Sequence, residues 1–330
     1  MLRCKLDNCP VAKDGRCLEG RGADCPNLLP EADVSATVAE APKSAEVRNS
    51  LPTVLEPLPG RAPLDVAEAR MFTQRGPSIV VALAGMPECG KTSLLARLHQ
   101  MFQAGSVAGF DFAGSHTLPY FEELNWLATI ESGVQQPTMK RSSSQFDNSF
   151  LHIAVQSIDN GTRTELLLND ITGETFEKAV ASQVECDKLI SLARADHLVV
   201  VVDGAALAEL LLRHHHIEQT RDFLQRVLQS GQCGPQTALH ILISKLDKLH
   251  GQEAVAVKME TESRARFGAA FGSINFWRIA ARPMDGSLPT EERIGRLFAS
   301  WVGTTHRYPM PILPVVPRSA WARDFCRYGI

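Results

Sequence analysis

Residues 78–92, SIVVALAGMPECGKT, run an apolar segment directly into a glycine-bracketed loop, and LLARLHQMF follows at helical spacing. SIVVALA carries no charge and does not alternate, so it is expected to be a strand covered on both faces, as in a parallel sheet flanked by helices. The loop Gly85–Thr92 has the form G-x-x-x-x-G-K-[ST]. Between a strand and a helix, its backbone N–H groups can cradle phosphate oxygens at the positive end of that helix. Gly85 and Gly90 supply conformations that a Cβ would block, and Glu88, Cys89 and Ser93 belong to the same cradle. Lys91 is expected to reach the terminal phosphates and the Thr92 hydroxyl to bind Mg²⁺.

Beyond this unit the chain repeats the strand-then-helix pattern. Strands are expected at 78–84, 150–157, 164–169, 197–202, 239–244 and 274–279, with helices near 91–103, 175–194, 205–230, 252–268 and 290–302. The pair 150–157 and 164–169 is joined by IDNGTR, whose Asn-Gly signals an antiparallel hairpin. The fold class is therefore α/β, a mostly parallel sheet with one antiparallel strand. No apolar stretch reaches the roughly 18 residues needed to span a bilayer. A net charge of −3 with no basic run gives no electrostatic case for nucleic acid. MLRCKLDNCP lacks the apolar core of a signal peptide, so a cytoplasmic location is expected.

Two further motifs fall where strands end. In LLLNDITGE, Asp170 and Gly173 form D-x-x-G. The carboxylate can hold Mg²⁺ through water, and the Gly173 N–H can meet a γ-phosphate. In LISKLDKL, Ser244-Lys245-Leu246-Asp247 has the form of [NT]-K-x-D with Ser in the first place. Asp247 can accept two hydrogen bonds from guanine that adenine cannot donate, and the Lys245 stem can lie along the base. Serine shortens the reach of the first position, which is expected to weaken the bracing of the loop more than base selection. RIAAR at 278–282 offers Ala281 as a backbone donor to the base.

In this order GMPECGKT, DITG, SKLD and AAR resemble the motifs of Ras-like GTPases of the translation-factor class. With FAGSHTLPYFE (112–122), ITGETF (171–176) and VDG (202–204), the chain looks most like the bacterial double-GTPase domain family. The resemblance implies a three-layer Ras-like P-loop NTPase fold, GTP and Mg²⁺ as ligands, slow hydrolysis, and a regulatory or conflict-related setting. Its biochemical role is not supplied by the resemblance.

Glu174 stands where many Ras-like enzymes place a water-orienting Gln. Its carboxylate can orient water but repels the γ-phosphate, so hydrolysis is expected to be slow without a partner. The switch Mg²⁺ ligand is sought among Thr117, Thr129 and Thr138; Thr138 is favoured for its place nearest the hairpin, Thr117 being the rival. Arg141 is either a phosphate-neutralising group or a surface residue. His214, His215 and His216 read as a solvated tract, Asp203 as a helix cap, and Cys89 as an inert spacer rather than a redox group.

Four of the eight cysteines, Cys4, Cys9, Cys17 and Cys25, crowd the N-terminus. They can close a tetrahedral Zn²⁺ site, with an iron–sulfur or redox role, or no metal, as alternatives; such a segment is also similar to one attached to double-GTPase domains. The expected organisation is a Cys-rich segment 1–29, a Pro/Ala/Glu-rich linker 30–66, a GTPase domain 67–305 and a tail 306–330. Three functions compete. The first is a GTP-hydrolysing switch acting on a protein effector or regulator, the second a GTP-binding interaction module with negligible hydrolysis. The third, an ATPase or nucleotide kinase, is disfavoured by Ser244–Asp247.

Overall fold

In the computed structural model, residues 3–4, 28–29, 62–126, 148–249, 251–282 and 289–303 are described. The chain divides into two units, Met1–Glu56 and Pro57–Ile330. In the first, strands β1 (Arg3–Cys4) and β2 (Leu28–Leu29) pair antiparallel. The second unit runs α1 (Val66–Arg75), β3 (Ser78–Ala84), α2 (Lys91–Ala104), β4 (Phe110–Gly114), α3 (Leu118–Trp126), β5 (Leu151–Ser157) and β6 (Arg163–Asp170). It continues through α4 (Gly173–Ala181), α5 (Gln183–Asp187), β7 (His197–Asp203), α6 (Gly204–Ala208), α7 (Leu210–Gln229) and β8 (Ala238–Ser244). Then come α8 (Glu253–Phe267), β9 (Ser273–Arg278) and α9 (Thr290–Val302), with 3₁₀ turns at Ile190–Arg194 and Leu246–Lys248.

The sheet order is β4-β5-β6-β3-β7-β8-β9. From β6 to β9 all neighbours are parallel, and β5 pairs antiparallel with both β6 and β4. β5 therefore runs alone against the other six strands, as the Asn-Gly connection implied; Gly161 takes a φ of 68° in that turn.

Strand alternation sorts the core into two layers. Ile79, Val81 and Leu83 of β3 pack with Leu94, Leu95 and Leu98 of α2, Phe121 of α3, and Phe298 and Trp301 of α9. Ala82 and Ala84 face the other way, with Phe176 of α4, Phe223 and Leu224 of α7, and Met259 of α8. Because both faces are covered, β3 is buried from Ile79 to Ala84, and its apolar run is explained.

Several elements depart from the expected ones. The helix expected over 175–194 is broken at Ser182, whose backbone is extended (φ −140°, ψ 129°), and that over 205–230 is broken at extended Glu209. β4 and α3 lie between the expected helix near 91–103 and the expected strand 150–157, where no element was foreseen. β4 has only five residues, all exposed or half-buried, so no apolar pattern announces it. α1 overlaps the end of the expected linker at residue 66. Asp65 caps it, accepting from the Glu68 N–H while the Glu68 carboxylate accepts from the Asp65 N–H, a D-x-x-E capping box. Among the described residues no helix is long and apolar enough to cross a membrane.

Four histidines, His99, His152, His197 and His240, are buried, and two of them share one hydrogen-bond chain. Trp277 Nε1–H donates to His240 Nδ1 (3.0 Å), which leaves the His240 Nε2 proton for His197 Nδ1 (3.0 Å) and the His197 Nε2 proton for the Trp301 carbonyl (3.0 Å). Burial, with His197 beside it, lowers the His240 pKa to about 3, and burial lowers that of His99 to about 4. His152 is lowered as well, first by burial. The unfolded chain binds protons below about 6.5 that folded His240 refuses until about 3, so stability is fully present above that window and falls as pH drops through it. Urea unfolding from pH 7.5 to 4 is expected to show net proton uptake on unfolding below pH 6.5, each such histidine contributing at most about 1.4 kcal/mol per pH unit. A flat profile would contradict neutral burial.

Candidate nucleotide site

The phosphate loop follows β3 at the carboxyl edge of the sheet, and α2 starts at Lys91 directly behind Gly90, whose φ is 98°. Lys91 is 6% exposed, and its ammonium donates to the carbonyls of Gly85 (2.8 Å) and Met86 (3.1 Å). The loop is thus wrapped around its own cation. Glu88 is exposed, yet its backbone sits at φ 60°. For a residue with a Cβ, that left-handed conformation costs about 1–2 kcal/mol. Ser93 is half-buried in the first turn of α2. Cys89 is fully buried with its Sγ 3.6 Å from the Lys91 ammonium; burial pushes its thiol pKa up, against the pull of Lys91. It is a packed spacer, not a reactive thiolate.

On the metal side, the Thr92 hydroxyl donates to Asp170 Oδ2 at 2.7 Å, across β3 and β6. A hydroxyl and a carboxylate at the foot of a phosphate cradle form the hard-oxygen set that Mg²⁺ takes. These residue types suit Mg²⁺ beside a phosphate chain, and Thr92 and Asp170 are the groups that would hold it. Gly173 opens α4 beyond the cap residue Thr172, whose side chain accepts from the Thr175 N–H (3.2 Å). A Cβ on Gly173 would stand 2.4 Å from both Cα and N of Pro87, so the D-x-x-G segment rests directly on the phosphate loop. Glu174 is exposed in the first turn of α4, where a carboxylate favours the helix dipole.

On the base side, Ser244 is 7% exposed and its hydroxyl donates to the Cys89 carbonyl at 2.6 Å, with the Val202 carbonyl at 3.2 Å. A serine has one proton to give, so the shorter contact takes it. Despite its short side chain, Ser244 is carried by β8 to within hydrogen-bonding distance of the phosphate loop. Lys245 holds the backbone at φ 46° and its ammonium bonds Asp203 Oδ2 at 2.7 Å. Asp247 is half-buried in the 3₁₀ turn Leu246–Lys248, and the Leu246 N–H reaches the Ile279 carbonyl at 3.4 Å. That bond joins the base loop to the segment carrying half-buried Ala281.

Other expected residues lie apart. Thr117 is buried and its hydroxyl accepts the His152 N–H at 2.9 Å, a bond that ties α3 to β5. Thr129, Thr138 and Arg141 lie outside the described residues, as do Cys9, Cys17 and Cys25; Cys4 is placed only as a backbone position in β1. Among the described residues no group of three or more His, Cys, Asp or Glu could hold a metal ion. His214 and His215 are exposed on α7, as a solvated tract should be, but His216 is half-buried and burial lowers its pKa, so the tract is solvated only in part. Sequence reasoning assigned no role to Tyr120, which is 6% exposed; its phenol is pushed up to about 12 by burial and then by the Asp170 and Glu123 carboxylates. Its only signal was its place in the GSHTLPYFE stretch.

The G-x-x-x-x-G-K-T, D-x-x-G and S-K-L-D segments, in this order at the carboxyl ends of parallel strands, give the chain the form of a P-loop GTPase-like domain. The family model of Double-GTPase 2 matches residues 79–302, and the chain belongs to that double-GTPase family. Membership suggests GTP binding and implies Mg²⁺ as its companion. No curated protein matches the chain.

Gly173→Ala is expected to separate the D-x-x-G segment from the phosphate loop. Because the clash is with backbone atoms of Pro87, trimming the proline side chain cannot relieve it. A loss of about 1–3 kcal/mol of stability, with weaker nucleotide binding, should appear in thermal unfolding and titration; wild-type values for both would contradict the contact.

Proposed function

We propose that residues 67–305 form a guanine-nucleotide switch that binds Mg·GTP, hydrolyses it slowly and thereby controls a protein partner, with 1–29, 30–66 and 306–330 as appended segments. The convergence of the two loops supports this: Ser244 joins the base loop to the phosphate loop at Cys89, while Thr92 and Asp170 meet at its foot. Lys91, already desolvated, would trade its carbonyl partners for phosphate oxygens. Asp247 would take the guanine edge, Lys245 would lie along the ring, and Ala281 would offer a backbone N–H. Gly173 would report the terminal phosphate by moving off Pro87, and Thr138 would complete the metal shell. Bound Mg²⁺ would supply charge neutralisation along the phosphate chain. Glu174 would orient the attacking water.

A second reading, GTP binding with negligible hydrolysis, is favoured by one observation, the exposure of Glu174 at a helix start. Single-turnover hydrolysis separates the two because it excludes product release. Under the switch reading, Glu174→Ala slows the step and Glu174→Gln keeps or raises its rate by removing a charge near the γ-phosphate. Under the binding reading, both stay within about twofold of wild type, roughly 0.4 kcal/mol of barrier. Lys91→Ala should abolish binding or turnover in either case.

Guanine selection has its own test. Asp247→Ala is expected to weaken GTP by at least about 2 kcal/mol, since a charge-assisted pair is lost. Equal affinity of the wild-type protein for GTP and ATP would defeat the reading.

A further inference from the structure

The Asp203 carboxylate does two separate things with its two oxygens. Oδ1 accepts the Ala205 N–H at 2.9 Å and caps α6, while Oδ2 accepts the Lys245 ammonium at 2.7 Å. The residue is 8% exposed and its side chain 12%, against 33% for the Lys245 side chain. An acid was expected here as a cap, and the cap alone would be served by Asn or Ser. The second oxygen is what a cap does not need.

Lys245 is the residue whose position most needs external support. Its backbone is left-handed at φ 46° and ψ 45°, a conformation that only surrounding structure can hold. Its stem is long and loses rotamer freedom when it is fixed. β7 and β8 are paired in register so that Asp203 stands beside Ser244. The carboxylate therefore comes from the neighbouring strand, rigid on both sides, and not from the base loop itself.

Resting on the guanine-binding reading, we infer that Asp203 is a specificity-positioning residue: its Oδ2 fixes the Lys245 side chain along the base plane, so base affinity depends on a strand that never touches the base. Asp203→Asn isolates this role. The amide keeps an Oδ1 for the α6 cap but presents an N–H₂ to the ammonium, donor against donor.

The test titrates full-length protein with GTP, GDP and pyrophosphate for wild type, Asp203→Asn, Lys245→Met and the double variant, with a melting curve for each. Pyrophosphate probes the phosphate loop without a base. Positioning predicts that Asp203→Asn weakens GTP and GDP about tenfold, the scale of one charge-assisted hydrogen bond. It also predicts unchanged pyrophosphate binding and a double variant no weaker than the worse single one. Equal weakening of all three ligands with a lowered melting temperature would overturn the inference in favour of a cap. So would additive losses, or GTP affinity within twofold of wild type. Should Asp203→Asn not fold, Asp203→Ser, which keeps a cap oxygen and removes the second, takes its place: weakened GTP and GDP with pyrophosphate binding kept supports positioning, and retained GTP affinity overturns it. If the wild-type protein binds ATP as well as GTP, the guanine reading itself falls, visibly and before any variant is made.

Discussion

A buried ammonium is the constraint on which the site depends. Lys91 is 6% exposed, and a cation taken out of water must be given acceptors or lose its charge. Here the acceptors are the carbonyls of Gly85 and Met86, two residues of the loop that Lys91 itself closes. The loop can bend back to present them because it is bracketed by glycines and because β3 and α2 hold its two ends. Two hydrogen bonds from one side chain thus tie the start of the loop to its end, at one point of the sheet's carboxyl edge.

The sheet brings the remaining groups to that point. In a parallel sheet every carboxyl end lies on one edge, so residues 78 positions apart, such as Thr92 and Asp170, can meet at 2.7 Å. Ser244 reaches the phosphate loop from 155 residues away by the same logic. Antiparallel β5 interrupts the pattern without disturbing it, since it lies outside the strands that carry these motifs.

Backbone strain is concentrated where these loops are. Among described non-glycine residues, positive φ occurs at Glu88, Ala108 and Lys245, and two of the three lie in the phosphate and base loops. Conformations of this kind persist when neighbouring contacts over-determine them. For Lys245 those contacts are the Asp203 carboxylate and the Leu246–Ile279 bond. For the phosphate loop they are the Ser244 hydroxyl and the close approach of Gly173 to Pro87.

Much of this was legible in the chain itself. Uniform apolar runs such as SIVVALA and HLVVVV are what double-sided burial requires, and they placed the expected strands to within a residue or so. The phosphate loop, D-x-x-G and the SKLD motif are local, because each depends on residues a few positions apart. Other features were not legible because nothing local encodes them. β4 is a five-residue edge strand, exposed or half-buried throughout, so it is too short and too open to carry a long apolar run, and the helix breaks at Ser182 and Glu209 lack the glycine or proline that marks a break. The capping box at Asp65 and Glu68 was a readable signal that went unread. That Thr117 serves the sheet, that Ser244 can reach Cys89, and that Asp203 has a second oxygen for Lys245 were decided only when strands distant in sequence were laid side by side. Sequence determined which groups could bind a phosphate and a base. Tertiary structure decided which partners hold them, because a hydrogen bond is a matter of ångströms across strands and not of spacing along one.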